Sequence, residues 1–419
     1  MTGDLPGTLL LDPPVIENPY PFYRRLREEA PVWRVPGTDI FVVTSFALLV
    51  EATARVEDFS SNMNFLLYRD DRGLPCRWSF GESGGYVLAT ADPPDHKIHR
   101  EAVFSELVAK RMAALEPEIA EVATHCVDNA VRERRVDFMA AVANVVPITL
   151  VSSLIGFRDS DLDDLLRNAF DGTSLVGGRL TLPELEALMV RVADIGAWIV
   201  DQLETARQEP SEDILGAIAR AMEAGVLEVG EACIILQTLL SAGGESTTSL
   251  LGNSVRLLAE HQDVQSTLRE HPDLIPAFVE ESLRLESPFR FLFRSTTKDT
   301  DLGDVAIPVG STVLLFWGAA NRDPAAFPDP DTIDLHRRLP RRHVAFGRGI
   351  HHCVGAPLAR LEGQVVLECL LERTSSIEID RDQSPRWFDS LQVRRHEYLP
   401  VTLVPAPPKA QLPAPALLA

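Results

Sequence analysis

The sequence predicts one mostly helical domain with a smaller β part. Gly230 to Gln262 is the longest stretch with helical periodicity, and Arg158 to Gln208 is a second long helical stretch. Val32–Val35 and Ile40–Val43 are short apolar runs on either side of the Pro36-Gly37 turn, a pattern typical of two paired strands. The helical segments are much longer than the strands, so helices should form most of the core.

The remaining helical segments follow in order along the chain. Asn18 to Ala30 mixes aromatic and charged residues at helical spacing, which predicts an early helix. Phe138 to Phe157 is the longest apolar stretch, but polar residues and Pro147 interrupt it, so we expect a buried core helix rather than a membrane span. The Arg158–Gln208 stretch should be broken by its glycines and proline. These are Gly172, Gly177, Gly178 and Pro183.

Composition excludes several functional classes. The chain has 419 residues, of which 45% are hydrophobic, and this is enough for a large core. Its formal net charge of −21 argues against nucleic acid or an anionic membrane as the main partner. The first residues carry neither a basic flank nor an apolar core, so they do not read as a signal peptide. Five widely spaced cysteines imply no disulfide framework, which suits the reducing cytoplasm.

One stretch, His343 to Arg360, combines a cysteine with several glycines and basic residues. The glycines suit a backbone that turns with positive φ or lets a flat ligand come close. They are Gly347, Gly349 and Gly355. Cys353 lies just ahead of a helix that begins near Pro357, where the positive helix end favours a thiolate. A thiolate on such a loop suits axial ligation of haem iron. A buried structural cysteine, or a zinc site with His351 and His352, stays open on these residues alone.

A family resemblance bears on this choice. The run Phe346-Gly347-Arg348-Gly349-Ile350-His351-His352-Cys353-Val354-Gly355 resembles the cysteine-loop signature of the cytochrome P450 haem-thiolate monooxygenases. It matches the pattern F-G-x-G-x-H-x-C-x-G at every fixed position. The resemblance implies haem b as cofactor, with Cys353 as the iron ligand that helps to break the O–O bond of oxygen. It also places Phe346 beside the thiolate, where it limits access of water.

Two further elements resemble the family's binding sites for the haem propionates. Asp92 can cap a helix on which His96 and Arg100 lie at i and i+4, side by side on one face. This pair resembles the family's H-x-x-x-R element. Arg294, in the strand-like run Pro288–Arg294, matches a second propionate-binding arginine. With His351, these residues would donate charge-assisted hydrogen bonds to the propionates.

The middle of the longest helical stretch reads Ala242-Gly243-Gly244-Glu245-Ser246-Thr247-Thr248. Two adjacent glycines in a helix cost roughly 2 kcal/mol relative to alanine, and the missing side chains would leave room for a small ligand. The run resembles the family's oxygen-binding groove, A-G-x-E/D-T-T/S, which implies that Glu245 and Ser246 relay protons to the distal oxygen. The usual threonine is replaced by Ser246 in this chain.

Glu281 and Arg284 lie at i and i+3 on the next helix, where they can form an ion pair. Because they lie between the glycine-containing helix and the cysteine loop, they match the family's structural E-x-x-R pair. A buried pair needs a further donor, and Arg337 is the candidate.

The resemblance also locates the substrate pocket among apolar and aromatic segments. Asn62 to Ala89 is an irregular aromatic segment that covers the pocket in the family, although a plain surface loop fits the residues equally well. Arg290 faces either solvent or the pocket, where it could hold an acidic substrate. The predicted pocket residues are Phe65, Trp78, Tyr86, Val87, Leu88, Gly243, Phe289, Arg290, Phe291, Leu292 and Val393.

The resemblance spans residues 14–404, which leaves an N-terminal extension at 1–13 and a Pro/Ala-rich tail at 405–419. It implies a monooxygenase that inserts one oxygen atom from O2 into a small or medium-sized apolar organic molecule. The chain shows no flavin, nicotinamide or iron–sulfur fingerprint, so electrons from NAD(P)H must arrive through a separate ferredoxin or flavodoxin and its reductase. Two alternatives remain open at this point, a peroxide-driven peroxygenase and a non-catalytic haem protein that binds a ligand.

Charge patterning suggests where the redox partner binds. No acidic residue lies between Asp334 and Glu362. The same interval holds Arg337, Arg338, Arg341, Arg342, Arg348 and Arg360. On a chain with a strongly negative net charge, such a basic run should attract an acidic protein to the face that carries the cysteine loop.

Overall fold

The computed structural model describes residues 5–79, 86–104, 114–338 and 340–407. Its helices are α1 (Pro13–Glu17), α2 (Tyr20–Glu29), α3 (Phe46–Ala54), α4 (Asp95–Phe104), α5 (Glu116–Glu133), α6 (Val145–Ile155), α7 (Leu162–Leu175), α8 (Leu182–Gln208), α9 (Ile214–Glu223), α10 (Val229–Glu260), α11 (Gln262–Glu270), α12 (Ile275–Leu285), α13 (Trp317–Ala320) and α14 (Ala356–Arg373). Its strands are β1 (Val32–Arg34), β2 (Ile40–Val43), β3 (Phe59–Ser60), β4 (Phe65–Arg69), β5 (Pro75–Ser79), β6 (Arg135–Asp137), β7 (Leu292–Thr296), β8 (Thr300–Leu302), β9 (Val305–Ile307), β10 (Thr312–Leu315), β11 (Thr374–Ile379), β12 (Arg386–Trp387), β13 (His396–Tyr398) and β14 (Pro400–Pro405).

Helix α10 is the central element of the helical part. It runs for 32 residues, and most of its second half is buried on every side. Helices α6, α7, α8 and α14 pack against it, and their apolar residues form one continuous core with those of α10. A helix that is enclosed in this way has no solvent face, which explains why its sequence shows little amphipathic contrast. Its buried polar side chains include Glu245, Thr248, Ser249 and Asn253.

The smaller β part is a mixed sheet in the order β1-β2-β10-β7-β3. The predicted β1–β2 pair is antiparallel, and β10 runs parallel to β2 on its other side. Because side chains alternate along a strand, Ile40 and Val42 enter one apolar cluster while Phe41 and Val43 enter another. Both faces of the sheet are therefore covered, and this is why a strand such as β2, which is apolar at every position, fits there.

The segment predicted to be irregular between Asn62 and Ala89 contains a β-hairpin. Strands β4 and β5 pair from Phe65↔Ser79 to Arg69↔Pro75. The connecting turn is held by Asp70, whose carboxylate accepts hydrogen bonds from the backbone of Arg72 at 2.9 Å and of Leu74 at 2.8 Å. This local side-chain capping stabilises a turn that the prediction overlooked. Residues 80–85 lie outside the described residues.

One other prediction about chain organisation also needs correction. Gly172 lies inside α7 rather than at a break, and the chain leaves helix only between α7 and α8. A Cβ at Gly172 would lie 2.4 Å from the Ser241 hydroxyl, so glycine there permits close packing of α7 on α10. The residues predicted as an N-terminal extension include Leu5, Leu10 and Leu11, which are buried in the core.

The long apolar stretch from residue 138 to 157 is a core element, as predicted. A π-helical turn at Met139–Ala143 leads into α6, and most of its residues are buried against α10 and α5. Within the described ranges, no helix has the length and apolar character needed to cross a membrane. Residues 408–419 of the predicted tail lie outside the described residues, whereas Pro405 ends β14.

Candidate active site

The cysteine loop is a closed turn ahead of α14. Gly347 and Gly349 adopt φ values of 68° and 74°, which only glycine takes without strain. The backbone N–H of Cys353 donates to the carbonyl of Phe346 at 2.9 Å, and this bond closes the turn. Gly355 is the N-cap of α14, so the cysteine lies two residues before the helix, as the sequence predicted.

The environment of the Cys353 sulfur contains opposing effects. Burial raises the pKa of the thiol, whereas the backbone N–H groups of Gly355 and Ala356, followed by Arg100 and Arg360, lower it. Cys353 as a whole residue is exposed to solvent, however, so desolvation of its sulfur is incomplete. The helix end and the two arginines provide the predicted positive field.

The predicted cationic residues form one cluster beside the loop. The rings of His96 and His351 lie with their centroids 4.2 Å apart. Burial, together with the nearby Arg294, His96 and Arg100, lowers the pKa of His351 to about 3. Arg100 donates to the carbonyl of His352 at 3.0 Å, which ties α4 to the cysteine loop. Residues from three distant parts of the chain thus converge on one place.

The cluster contains buried donors that the protein does not neutralise. Both ring nitrogens of His351 are buried without a hydrogen-bond partner among the described residues. Arg294 is 6% exposed, and its guanidinium donates to the carbonyl of Phe293 at 2.6 Å. No carboxylate of the described ranges forms an ion pair with Arg294. Burial lowers the pKa of Arg294 to about 10. A buried guanidinium without an ion-pair partner favours binding of an anionic ligand.

Asp92 was predicted to cap α4, but its side chain does not do so. Its carboxylate accepts hydrogen bonds from Ser60 Oγ at 2.5 Å and from the backbone N–H of Ser61 at 2.8 Å. Its backbone carbonyl accepts instead from the N–H of His96 at 2.9 Å. Asp92 therefore links α4 to β3.

Glu245 and Ser246 occupy the middle of α10 and have different environments. Glu245 is fully buried, and its carboxylate accepts hydrogen bonds from Arg395 Nε at 2.5 Å and from Thr173 Oγ1 at 3.0 Å. Burial raises the pKa of Glu245, although Arg395 and Thr173 oppose that effect. Ser246 is half-buried, and its hydroxyl donates to the carbonyl of Ala242 at 2.6 Å. The acid is thus held within the protein, while the hydroxyl borders an accessible surface.

Comparison with known proteins identifies the family. The family model described as Cytochrome P450 matches residues 197–399. The protein named Cytochrome P450 144, from Mycobacterium tuberculosis, is 38% identical over 386 residues, which cover 92% of this chain and 88% of that protein. The chain belongs to the cytochrome P450 family. It is therefore a haem-dependent oxidoreductase of the monooxygenase class, and the predicted fold class is confirmed.

Other members of the family show comparable similarity. The 6-deoxyerythronolide B hydroxylase of Saccharopolyspora erythraea is 34% identical over 396 residues, which cover 92% of this chain and 96% of that protein. The solved structure of cytochrome P450 CYP109Q5 from Chondromyces apiculatus superimposes with a TM-score of 0.82 at 32% identity. That similarity covers 97% of this chain and 100% of the other.

The residues present fit the haem that a cytochrome P450 binds. Cys353 offers a sulfur on a closed loop. The unpartnered ring nitrogens of His351 and the buried guanidinium of Arg294, which has no ion-pair partner among the described residues, suit anionic propionates. Ala242 is exposed and Ser246 is half-buried, although the second half of α10 that follows them is largely buried, so one short face of α10 borders the site. These are observations about the protein alone, and all of them agree with haem binding between α10 and the cysteine loop.

The adjacent glycines of α10 serve packing rather than the predicted ligand space. The helix remains continuous through them. A Cβ at Gly243 would lie 2.7 Å from Val151 Cγ2 on α6, and a Cβ at Gly244 would lie 3.2 Å from Ile148 Cδ1. The space left by the missing side chains is thus filled by apolar residues of α6. Gly243, predicted as a pocket residue, has its Cβ direction turned towards α6 instead.

The predicted E-x-x-R pair is buried and satisfied. Arg284 donates to Glu281 at 2.7 and 2.9 Å, and also to the carbonyls of Asn321, Pro330 and Thr332. Arg337 donates to Glu281 at 3.0 Å, so it is the third member that the sequence suggested. The pair therefore holds the segment from residue 321 to 337 against α12.

The predicted pocket residues do not form a single group. Phe65 makes an edge-to-face contact with Phe293 on the sheet side of the molecule, whereas Val87 and Leu88 join the helical core. Phe291 was predicted to line the pocket, but it is fully buried and stacks on Phe316 with centroids 5.0 Å apart. Phe291 is therefore a core residue.

The other predicted pocket positions are strand residues or partly accessible. Trp78 faces Leu66 across the β4–β5 hairpin. Phe289 forms an isolated bridge with Val393. This bridge joins the segment before β7 to the C-terminal hairpin, which consists of β12, β13 and residues 388–395 between them. Tyr86 and Leu292 are half-buried. These residues remain candidates for substrate contact.

Arg290 neither faces solvent nor leaves its guanidinium free. It is 2% exposed and donates to the backbone carbonyls of Ile16, Ser390 and Val393. These bonds join the N-terminal segment to the C-terminal hairpin. The hypothesis that Arg290 holds an acidic substrate is therefore not supported by the geometry.

The sequence analysis missed both partners of Glu245. Thr173 lies on α7, and Arg395 lies in the C-terminal hairpin, 150 positions along the chain from the glutamate. The Arg395 guanidinium also lies over the rings of Phe170 and Phe388, at 4.0 and 4.4 Å from their centroids. The one available signal was the basic pair Arg394-Arg395, next to Leu391 and Val393.

Proposed function

We propose that this cytochrome P450 binds haem b through Cys353 and inserts one oxygen atom from O2 into a small or medium-sized apolar organic substrate. The observation that carries the proposal is Cys353 on a closed glycine loop beside the buried Arg294 and beside His351, whose buried ring nitrogens lack a hydrogen-bond partner among the described residues. When bound, haem supplies the activation of O2 that no side chain can provide. His96, Arg100, Arg294 and His351 bind its propionates, and Phe346 restricts water near the sulfur.

Reconstitution tests this function against its alternatives. The protein is supplied with a surrogate ferredoxin, its reductase and NAD(P)H, together with substrates found by screening for the low-to-high-spin shift of the Soret band. We expect product that depends on NAD(P)H and O2. Product with peroxide alone would instead indicate a peroxygenase. Spectral shifts without product under either condition would indicate a non-catalytic haem protein.

The proposed redox partner is an acidic ferredoxin or flavodoxin that docks beside the cysteine loop. Two arginines of the predicted basic run serve internal contacts, since Arg337 binds Glu281 and Arg360 binds Glu280. The exposed members are Arg338, Arg341, Arg342 and Arg348. The docking surface is therefore narrower than the sequence suggested, although it keeps a positive charge on a strongly acidic protein.

Reversing two of these exposed charges should slow electron delivery. We expect Arg338→Glu with Arg348→Glu to reduce the rate of haem reduction by the partner about tenfold at low salt, because steering depends on complementary charge. Stopped-flow reduction at several salt concentrations measures the effect, and the difference should shrink as salt screens the charges. Arg341 is left unchanged because a carboxylate there would lie close to Glu280.

The matched control is Arg381→Glu, which reverses an arginine of 90% side-chain exposure after β11. It changes the net charge in the same direction without touching the cysteine face. Equal rates for the double variant and the wild type at low salt would exclude this docking surface.

Ser246 is the proposed hydroxyl of the proton relay. Its single proton is donated to the Ala242 carbonyl at 2.6 Å, so its oxygen is free to accept a hydrogen bond. To pass a proton onward, the hydroxyl must rotate away from that carbonyl. Serine rotates more freely about χ1 than threonine because it lacks the methyl group. We therefore expect the wild type to release some peroxide instead of product.

Removing the hydroxyl should increase this uncoupling. We expect Ser246→Ala to lower the amount of product per NAD(P)H consumed about tenfold. This loss is smaller than the effect of removing a typical proton-transfer group, because a water molecule can occupy the position of the hydroxyl. Ser246→Thr should preserve or improve coupling. Product, peroxide and NAD(P)H consumption are measured together with a true substrate.

Ser249→Ala is the matched control, since Ser249 makes the same type of bond to the Glu245 carbonyl at 3.0 Å but is fully buried. Unchanged coupling in Ser246→Ala would assign the relay to Thr247, to water or to a substrate hydroxyl.

A further inference from the structure

Helix α12 carries two adjacent acids that bind different segments. Successive helical residues point about 100° apart, so Glu281 faces Arg284 and Arg337 while Glu280 faces elsewhere. Glu280 is 5% exposed, and its carboxylate lies 2.8 Å from His343 Nε2 and 2.6 Å from Arg360 Nε. A second nitrogen of Arg360 donates to the same carboxylate at 3.2 Å.

The hydrogen bonds around His343 define its orientation. Its Nδ1 accepts from the backbone N–H of Ala345 at 3.2 Å, so the ring proton belongs on Nε2, which donates to Glu280. The backbone at Ala345 thus fixes the ring of His343 so that its N–H points at Glu280. Although burial by itself raises the pKa of Glu280, the bonds from His343 and Arg360 lower it to about 2. The group is a carboxylate under ordinary conditions.

These two donors flank the cysteine loop. His343 stands ten residues before Cys353, and Arg360 stands seven residues after it on α14. One buried carboxylate therefore joins the two ends of the loop. The Arg360 guanidinium also lies over the Phe346 ring, 4.5 Å from its centroid, and the Phe346 carbonyl accepts from the N–H of Cys353. A continuous set of contacts leads from Glu280 to the cysteine.

We propose that Glu280 is a positioning residue that closes the cysteine loop and thereby sets the placement of Cys353 and Phe346 against the haem. The inference rests on the proposed function, in which Cys353 is the iron ligand. Without the carboxylate, His343 and Arg360 lose their shared partner and the two ends of the loop can separate. Arg341 has a minor role, because its side chain is 75% exposed and 3.5 Å from Glu280.

The test compares Glu280→Gln with Asp380→Asn in the haem-loaded protein. Asp380 is also buried, at 4% exposure, and is bound at 2.8 and 2.6 Å by Arg135, but it lies after β11 without a bond to the cysteine loop. Transfer of haem to excess apomyoglobin should be about tenfold faster in Glu280→Gln than in the wild type, as is typical when an outer partner of a metal ligand is lost. The ferrous–CO complex of the same variant should lose part of its thiolate-type Soret band, and its reduction potential should shift.

Asp380→Asn should lose stability in urea without any of these three changes. Equal haem transfer, CO spectra and potentials in the two variants would overturn the positioning role. If Glu280→Gln does not fold, Arg360→Lys and His343→Gln provide the same readouts, and wild-type values in both would overturn it as well. A globin-like CO band in the wild type would instead refute the ligand role of Cys353 on which the inference depends.

Discussion

Replacing Cys353 with alanine or histidine should abolish the strongly red-shifted Soret band of the ferrous–CO complex. The band depends on thiolate ligation. Cys353 lies on the loop that its own bond to the Phe346 carbonyl closes, and this loop places it beside the cationic cluster. Product formation should fall at least about a hundredfold, since the iron loses the ligand that supports O–O cleavage. Difference spectra of the reduced protein with and without CO measure the first effect.

The control for this experiment is Cys233→Ala. Cys233 is a half-buried cysteine of α10 whose sulfur lies 3.9 Å from the Gly196 carbonyl, away from the cysteine loop. The control should keep both the band and the activity. If the wild type has a globin-like band, or if Cys353→Ala keeps the shifted one, the ligand assignment is wrong.

Replacing Arg284 with alanine should cause the largest loss of folding stability among the substitutions considered. Glu281 would stay buried with Arg337 as its charged partner, and three backbone carbonyls would lose their donor. Breaking a buried pair in this way costs about 3–5 kcal/mol. For a chain of 419 residues, thermal unfolding should then show a melting temperature lower by roughly 3–6 °C.

The exposed pair Arg25–Glu29 on α2 offers a comparison, and Arg25→Ala should change the unfolding free energy by at most about 0.5 kcal/mol. A similar small loss in Arg284→Ala would contradict a structural role for the buried pair.

The stabilisation of the fold by the buried Glu281–Arg284 pair should depend on pH. Burial alone would raise the pKa of Glu281, but the bonds from Arg284, Asp334 and Arg337 lower it below its ordinary value of 4.5. The carboxylate therefore stabilises the fold above that value, and this contribution is lost as the pH falls through the depressed pKa. We expect the difference between the wild type and Arg284→Ala to narrow in acid.

Motifs carried by neighbouring residues were predictable from the chain. The turn at Gly347 and Gly349, and the placement of Cys353 ahead of a helix, depend on backbone conformations and caps set by residues a few positions apart. The Glu281–Arg284 pair is likewise local, since three residues along a helix bring the side chains together. Such local signals survive in any fold that keeps the helix or turn.

Interpretations that depended on distant packing were less successful. The glycines at 243 and 244 were expected to make room for a ligand, but their missing Cβ atoms admit side chains of α6. Arg290 alternates with bulky residues as a strand residue would, yet only the folded chain brings its guanidinium to carbonyls from both ends of the sequence. A sequence does not show which neighbour fills the space beside a residue.

The sequence by itself determined the family, the mainly helical class and the turn of the cysteine loop, because short-range spacing encodes each of them. Only the tertiary structure decided which groups surround the acids near the site. Glu245 meets Thr173 and Arg395, and Glu280 joins His343 to Arg360. These carboxylates are buried and must find donors, and the donors come from wherever the packed helices bring the chain close.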